Sequence, residues 1–126
     1  MSAFQILYVD DDSDSCEMIS LLLCHAGEEY SVTTVTTAEE ALIFMESRTF
    51  DLYILDLWLP KMNGVELCRR IRKRDPNTPV LFFSALARPA DRIQAEAAGA
   101  NDYLIKPNDL DKFENTVKRL LKENKP

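Results

Sequence analysis

The sequence predicts an α/β protein with a (βα)5 architecture, in which a five-stranded parallel sheet is covered by helices on both faces. Short apolar runs of strand length occur five times along the chain, and each is followed by a segment with helical periodicity. No internal repeat, low-complexity tract or Gly/Ser linker interrupts the 126 residues. Residues 1–126 are therefore predicted to form one doubly wound domain.

The five strands are predicted from apolar runs at 4–9, 30–35, 52–57, 80–83 and 103–105. Runs this short and this apolar are typical of strands that are buried on both faces. Strand–helix–strand crossovers are right-handed, so the carboxyl ends of all five strands are expected at one edge of the sheet. Ligands of doubly wound sheets bind beyond that edge.

Capping patterns predict where two of the helices begin. Thr37 with Glu40 forms one capping box, and Asn63 with Glu66 forms a second. In each pattern a side-chain oxygen can accept the amide hydrogen three residues later, so helices are expected directly after Thr37 and Asn63.

The first and last helices are predicted from their apolar stripes. The first lies near residues 13–25 and is expected to stop at Gly27. The last is expected to follow Asn108 or Asp109 as its cap. The segment 90–98 has an apolar face made mostly of alanine, which buries little area, so this helix is expected to be the most mobile.

Composition argues against several classes of function. The net charge of −6 disfavours nucleic-acid binding, and no apolar run approaches the ~20 residues that span a bilayer. The N-terminal residues do not have the form of a secretory signal. Three cysteines and one histidine match neither a disulfide framework nor a zinc-ligand pattern. We therefore expect a cytoplasmic protein without nucleic-acid or membrane contacts.

One basic cluster could contact phosphate groups. It comprises Arg69, Arg70, Arg72, Lys73 and Arg74. No aromatic residue or glycine is interleaved with these cations, as a nucleic-acid groove would require. The cluster is therefore interpreted as the solvated C-terminal end of a helix, where positive charge complements the helix dipole.

Charged and hydroxyl side chains follow the predicted strands. Asp10 and Asp11 follow the first, Asp56 lies at the end of the third, Ser84 follows the fourth and Lys106 the fifth. Oxygen ligands without sulfur or imidazole suit Mg²⁺ rather than Zn²⁺, and a lysine suits a phosphoryl oxygen. A divalent ion, a hydroxyl, an ammonium and a separate carboxylate together indicate phosphoryl transfer to an aspartate.

The chain resembles the receiver domain of bacterial two-component response regulators over nearly its whole length. Four segments carry the resemblance: ILYVDDD at 6–12, DLYILDLWLPKMNG at 51–64, PVLFFSA at 79–85 and GANDYLIKP at 99–107. The resemblance implies a flavodoxin-like sheet with strand order 2-1-3-4-5.

The resemblance also implies a role for each residue of the acidic site. Asp56 matches the phospho-accepting aspartate, and Asp10 and Asp11 match the acidic pair that holds the metal together with Asp56. Asp11 would be the more direct ligand, whereas Asp10 would act largely through water. Trp58 would offer its backbone carbonyl. The implied cofactor is Mg²⁺, with Mn²⁺ as a possible substitute.

Three further residues match the switch and the lysine of the family. Ser84 matches the switch hydroxyl and Tyr103 the switch aromatic, which would turn inward after phosphorylation. Lys106 would pair with Asp56 and then with a phosphoryl oxygen. The bond before Pro107 is expected to be cis, as is usual in the family.

The implied function is Mg²⁺-dependent transfer of a phosphoryl group to Asp56 from a phosphohistidine on a sensor histidine kinase or a histidine phosphotransfer protein. The chain is not expected to be an enzyme beyond its own phosphorylation and dephosphorylation. Its output would be a downstream effector domain or protein, or self-association, through the surface formed by the fourth helix, fifth strand and fifth helix.

Three alternatives share parts of this pattern. A degenerate receiver would bind proteins without being phosphorylated, but no element of the phosphorylation set is missing. An aspartate-nucleophile phosphatase would need a cap domain and later motifs for which the chain has no room. A flavodoxin would need a hydroxyl-rich phosphate loop after the first strand, where four aspartates stand between positions 10 and 14.

Two positions near the predicted site carry bulky apolar side chains, where relatives can have small polar ones. Trp58 lies two residues after Asp56, and Leu86 lies two residues after Ser84. Bulky apolar groups there would obstruct the water that hydrolyses an acyl phosphate, so slow loss of phosphate is expected. Of the remaining acidic residues near the first strand, Asp12 is interpreted as a supporting residue and Asp14 as a first-turn acid of the first helix.

Overall fold

The computed structural model describes residues 3–26 and 29–123, and within them five strands alternate with five helices, as predicted. The strands are β1 Phe4–Val9, β2 Tyr30–Val35, β3 Leu52–Leu55, β4 Val80–Ser84 and β5 Asp102–Ile105. The helices are α1 Ser13–Cys24, α2 Ala38–Ser47, α3 Gly64–Arg74, α4 Pro89–Ala97 and α5 Leu110–Glu123.

The strands form one parallel sheet in the order β2-β1-β3-β4-β5, so the predicted fold class and strand order are confirmed. The order reverses at β1, which pairs with β2 on one side and β3 on the other. Val9 and Leu55, the last residues of β1 and β3, are register partners. The residues that follow these two strands therefore begin side by side at the switch point of the sheet.

The core consists of two apolar clusters, one on each face of the sheet. Leu7 and Val9 of β1 belong to the cluster that packs against α2 and α3. Ile6 and Tyr8 belong to the cluster that packs against α1 and α5. This alternation follows from the two-residue period of a strand, and it places Tyr8 on the same face as the position two residues later.

Several element boundaries differ from those predicted. β3 ends at Leu55 rather than at residue 57, because the chain turns after Asp56 and the Gly64 amide then donates to the Leu57 carbonyl at 2.9 Å. β4 extends one residue further, to Ser84, whose carbonyl accepts the Lys106 amide at 2.9 Å. Both changes leave the predicted site residues at the carboxyl edge.

The remaining boundaries differ by about one residue, which is within ordinary variation. β5 begins at Asp102 and α4 spans Pro89–Ala97. α1 ends at Cys24, with His25 as its cap, and the predicted stop at Gly27 lies outside the described residues.

The predicted N-caps are present at α2 and α3, but the second capping box is incomplete, because the described contacts of the Glu66 carboxylate are with Arg69 and Arg70 rather than with Asn63. The Thr37 hydroxyl accepts the Glu40 amide at 3.1 Å, and the Asn63 side chain accepts the Glu66 amide at 3.0 Å. α5 begins directly after Asp109, whose carboxylate accepts the Ile105 amide at 2.9 Å and so ties the end of β5 to this turn. Among the described residues, no helix has the length and apolar character needed to span a membrane.

The basic cluster of α3 is solvated except at Arg72. Arg69, Arg70, Lys73 and Arg74 are exposed, as interpreted from the sequence. Arg72 is half-buried, and its guanidinium instead donates to carbonyl oxygens of Gly99, Asp75 and Thr78 and to the Asn101 side chain. The interpretation as a solvated helix end is therefore wrong for Arg72, which joins α3 to the turns before β4 and β5.

Candidate functional site

Three aspartates meet at the carboxyl edge of the sheet. Asp10 and Asp11 follow β1 and Asp56 follows β3, and one carboxylate oxygen from each lies within 4.8 Å of the others. Asp10 is fully buried, Asp56 is 9% exposed, and Asp11 is open to solvent. The structure thus brings together the three side chains that the sequence predicted as metal ligands.

Lys106 lies between two of these carboxylates. Its Nζ donates to Oδ2 of Asp10 and, at 3.2 Å, to Oδ2 of Asp56. The same ammonium lies 5.5 Å from the centroid of the Phe83 ring, a distance that permits a cation–π contact. The Lys106–Pro107 bond is cis, as expected.

Burial and charge perturb the proton affinities of the pocket. Burial raises the pKa of Asp56, the charge of Lys106 opposes that rise, and the nearby Asp10 carboxylate adds to it, with a raised pKa as the net result. Burial alone would lower the pKa of Lys106, but its bonds to the two aspartates raise that pKa above 10.5. Among the described residues, Lys106 pairs with two of the three clustered carboxylates, so the pocket can accommodate a further positive charge.

Asp10 is held by several donors besides Lys106. The Tyr8 hydroxyl donates to its Oδ2 at 2.9 Å, and the Asp12 amide donates to its Oδ1 at 3.0 Å. The Cys16 thiol also contacts the Asp10 backbone carbonyl at 3.3 Å. Sequence reasoning missed Tyr8, although its position two residues before Asp10 on a strand predicts that both side chains point to one face.

Asp12 and Asp14 serve the start of α1. Asp12 is the N-cap: its Oδ1 accepts the Asp14 amide at 3.1 Å, and its Oδ2 accepts the Ser15 hydroxyl at 2.9 Å. These bonds lower the pKa of Asp12. Asp14 lies in the first turn, as interpreted from the sequence. The Asp12 carboxylate is thus engaged by α1 and is not one of the three converging ligands.

The loop after β3 is packed tightly beneath Asp56. The Trp58 amide donates to Oδ1 of Asp56 at 3.2 Å, while the Trp58 side chain is 72% exposed. Gly64, the first residue of α3, approaches so closely that an added Cβ would lie 2.2 Å from the Asp56 carbonyl oxygen. Only glycine permits this approach of α3 to the end of β3.

Comparison with known proteins identifies the family. A family model described as "Response regulator receiver domain" matches residues 6–118, a range that includes every residue of the pocket. The chain belongs to the response regulator receiver-domain family. The resemblance inferred from the four sequence segments is therefore confirmed.

Named response regulators and receiver domains from other organisms are similar to this chain. Response regulator ArlR of Staphylococcus aureus is 35% identical over 118 residues, which cover 94% of this chain but 52% of ArlR, so the chain spans about half the length of this curated relative. A CheY-like receiver domain from Methanospirillum hungatei has a TM-score of 0.90 with 30% identity, covering 98% of this chain and 97% of its own. The receiver domain of the Francisella response regulator 1452 has a TM-score of 0.87 with 30% identity, covering 96% and 98%.

Ser84 lies at the rim of the receiver pocket. It is the last residue of β4, it is 1% exposed, and its Oγ accepts the Leu86 amide at 3.3 Å. Ser84 also contributes to lowering the pKa of Asp56, against the larger effect of burial.

Tyr103 of the receiver occupies an inward position in this structure. It is 3% exposed, and its hydroxyl donates to the Leu86 carbonyl at 2.7 Å. Its ring stacks on Phe82 with a centroid separation of 5.8 Å, and the Arg92 guanidinium lies 5.6 Å from the ring centroid. This is the orientation that the family resemblance associates with the switched state, and Leu86 links it to Ser84.

Proposed function

We propose that this receiver domain accepts a phosphoryl group on Asp56 from a phosphohistidine of a sensor histidine kinase or histidine phosphotransfer protein. The observation that carries the proposal is the convergence of Asp10, Asp11 and Asp56 within 4.8 Å, with Lys106 bonded to two of them. Membership of the response regulator family supports a phosphorylated donor as partner.

The proposed reaction uses the Asp56 carboxylate as nucleophile. A carboxylate oxygen forms a bond to phosphorus while the phosphorus–nitrogen bond of the donor breaks, and the imidazole leaves after taking up a proton. Oδ1 of Asp56 accepts the Trp58 amide at 3.2 Å, whereas Oδ2 accepts the Lys106 ammonium at 3.2 Å. Oδ2 is therefore the oxygen proposed to attack. After transfer, the Lys106 ammonium would bind a phosphoryl oxygen.

The donor set fits a hard divalent cation, Mg²⁺ or Mn²⁺. It consists of carboxylate oxygens, and neither cysteine sulfur nor imidazole is among the three converging groups. Asp10, Asp11 and Asp56 would hold the ion, with the Trp58 carbonyl as a proposed additional ligand. When bound, the cation would offset charge that develops on the phosphoryl oxygens.

The proposed output involves Ser84 and Tyr103. A phosphoryl group on Asp56 would attract the Ser84 hydroxyl and so alter the bond between Ser84 and the Leu86 amide. Leu86 also accepts the Tyr103 hydroxyl, so the change would reach the surface of α4, β5 and α5. That surface is proposed to contact a downstream effector domain or protein, or a second copy of the chain.

Incubation with acetyl phosphate and Mg²⁺ tests the proposal. Intact-mass spectrometry should detect one phosphoryl group, stable in acid and labile in base, in the wild-type protein but not in Asp56→Asn. No uptake by the wild-type protein would favour the degenerate receiver. In a separate incubation, continued hydrolysis of an excess of a phosphoester substrate would favour a phosphatase. We propose that catalysis by this chain is confined to its own aspartate.

A further inference from the structure

Tyr8 is a buried phenol at the inner edge of the acidic pocket. Its side chain is 1% exposed and packs among the apolar residues between the sheet, α1 and α5. A phenylalanine would fill that space equally well, whereas a buried hydroxyl is unfavourable unless it finds a partner. Its partner is Oδ2 of Asp10, at 2.9 Å.

The bond from Tyr8 determines which oxygen of the Asp10 carboxylate keeps a free lone pair. Oδ2 accepts from both the Tyr8 hydroxyl and the Lys106 ammonium, which uses its two lone pairs. Among the described residues, the one donor to Oδ1 is the Asp12 amide, at 3.0 Å. The remaining lone pair therefore lies on Oδ1, and this is the oxygen left for a cation or for a water bound to one.

The three described donors to the Asp10 carboxylate are the Tyr8 hydroxyl, the Asp12 amide and the Lys106 ammonium, and they are not equivalent during the proposed reaction. Lys106 is shared with Asp56 and would move toward the phosphoryl oxygens. The Asp12 amide fixes Oδ1 but leaves the other side of the carboxylate to the remaining donors. Tyr8 stands on β1 itself, two residues before Asp10, and its ring is fixed by the core. Its hydroxyl is thus the donor to Oδ2 that would stay in place when Lys106 leaves.

We propose that Tyr8 is a positioning residue for the metal pocket: its hydroxyl holds the Asp10 carboxylate in the rotamer that presents Oδ1 to a divalent cation. The inference rests on the proposed function, because it concerns the same acidic pocket. Hydrogen-bond partners of metal-binding carboxylates commonly contribute 10- to 100-fold to metal affinity, so loss of this hydroxyl is expected to weaken Mg²⁺ binding by about tenfold.

The test is Tyr8→Phe, which removes the hydroxyl and keeps the ring. Mg²⁺ is titrated into wild type and variant while NMR follows the amide resonances of Asp12 and Trp58, which bond to Asp10 and Asp56. Urea unfolding in EDTA shows whether the variant is folded. Tyr53→Phe is the matched control, because Tyr53 is a buried tyrosine of β3 in the other apolar cluster.

The expected result is a dissociation constant raised about tenfold in Tyr8→Phe and unchanged in Tyr53→Phe. Equal or tighter Mg²⁺ binding by Tyr8→Phe, with the wild type binding normally, would overturn the role of Tyr8 alone. Absence of Mg²⁺ binding by the wild type would instead overturn the proposed function, and with it this inference.

A second variant distinguishes positioning from a general structural effect. If Tyr8 acts through Asp10, Tyr8→Phe should change the Mg²⁺ affinity by less than about twofold once Asp10→Asn is present. A full further loss in the double variant would show that the hydroxyl acts by another route, and would contradict the proposal.

Discussion

Replacing Gly64 with alanine tests how strictly the start of α3 positions Asp56, the proposed phospho-acceptor. A Cβ at this position would lie 2.2 Å from the Asp56 carbonyl oxygen and 3.0 Å from Leu57 Cα and from the Phe82 ring. Two of these neighbours are backbone atoms, which cannot rotate away as the end of a side chain can. The strand end that carries Asp56, or the whole of α3, must therefore move.

The size of the movement follows from the contact. The shortest contact that a real Cβ makes is 3.0 Å, so the 2.2 Å between the added Cβ and the Asp56 carbonyl oxygen must lengthen by about 0.8 Å. Overpacking of this kind lowers the free energy of unfolding by about 1–3 kcal/mol. A misplacement near 1 Å also slows a positioned reaction by up to roughly 100-fold, so phosphorylation of Asp56 should slow by about 10- to 100-fold.

The assay compares Gly64→Ala with Gly99→Ala. Gly99 has φ +110°, and a Cβ there would lie 2.7 Å from Arg72 Cγ, so this substitution should also destabilise the fold by about 1–2 kcal/mol. Gly99 lies before β5, however, at the opposite edge of the sheet from Asp56. Urea unfolding gives the stabilities, and acetyl phosphate with Mg²⁺ gives the phosphorylation rates of the folded proteins.

Two results would refute this reasoning. A wild-type rate of Asp56 phosphorylation per folded molecule of Gly64→Ala would mean that α3 does not position Asp56. Alternatively, Gly99→Ala could slow phosphorylation as strongly as Gly64→Ala, which would mean that lost stability rather than displacement controls the rate.

Further substitutions test other parts of the structure. Arg72→Met should lower the free energy of unfolding in urea by about 2–4 kcal/mol, because four acceptors lose one donor side chain, and Arg72→Lys should restore only part of it. Trp58→Asn and Leu86→Glu together should speed loss of phosphate from the phosphorylated protein, measured by intact mass; unchanged decay would contradict the predicted obstruction of water. Burial would raise the pKa of Asp75, but hydrogen bonds, chiefly from Thr78, lower it below 3.8. Asp75→Asn should therefore reduce stability above pH 3.8, and the difference from wild type should vanish as pH falls through the lowered pKa, whereas a difference constant with pH would count against this linkage.

Local patterns were sufficient to predict the fold and the membership of the acidic site. Each strand is a short apolar run, and parallel topology brings the residues after those runs to one edge whatever the loops do. For this reason Asp10, Asp56 and Lys106 could be grouped from the sequence although up to 96 residues separate them. The N-caps of α2 and α3 were predictable because each capping side chain and the amide that donates to it lie within four residues.

Contacts between distant side chains were not predictable in the same way. Arg72 looks like its exposed neighbours in the sequence, but its guanidinium finds acceptors in the turn before β4 and in the turn before β5, which no local pattern predicts. Asp12 was interpreted as a supporting residue from the family resemblance, and that resemblance did not predict its bonds as the N-cap of α1. The end of β3 was placed too late because the turn after Asp56 depends on α3 packing back through Gly64.

The exposed indole of Trp58 gives this protein a built-in optical probe. The chain contains one tryptophan, so all of its indole emission arises two residues from Asp56. The amide of the same residue bonds to the Asp56 carboxylate, which couples the probe to the charge state of that group. Cation binding, phosphoryl transfer and phosphate loss could therefore be followed in real time, in unlabelled protein, from the fluorescence of a single side chain.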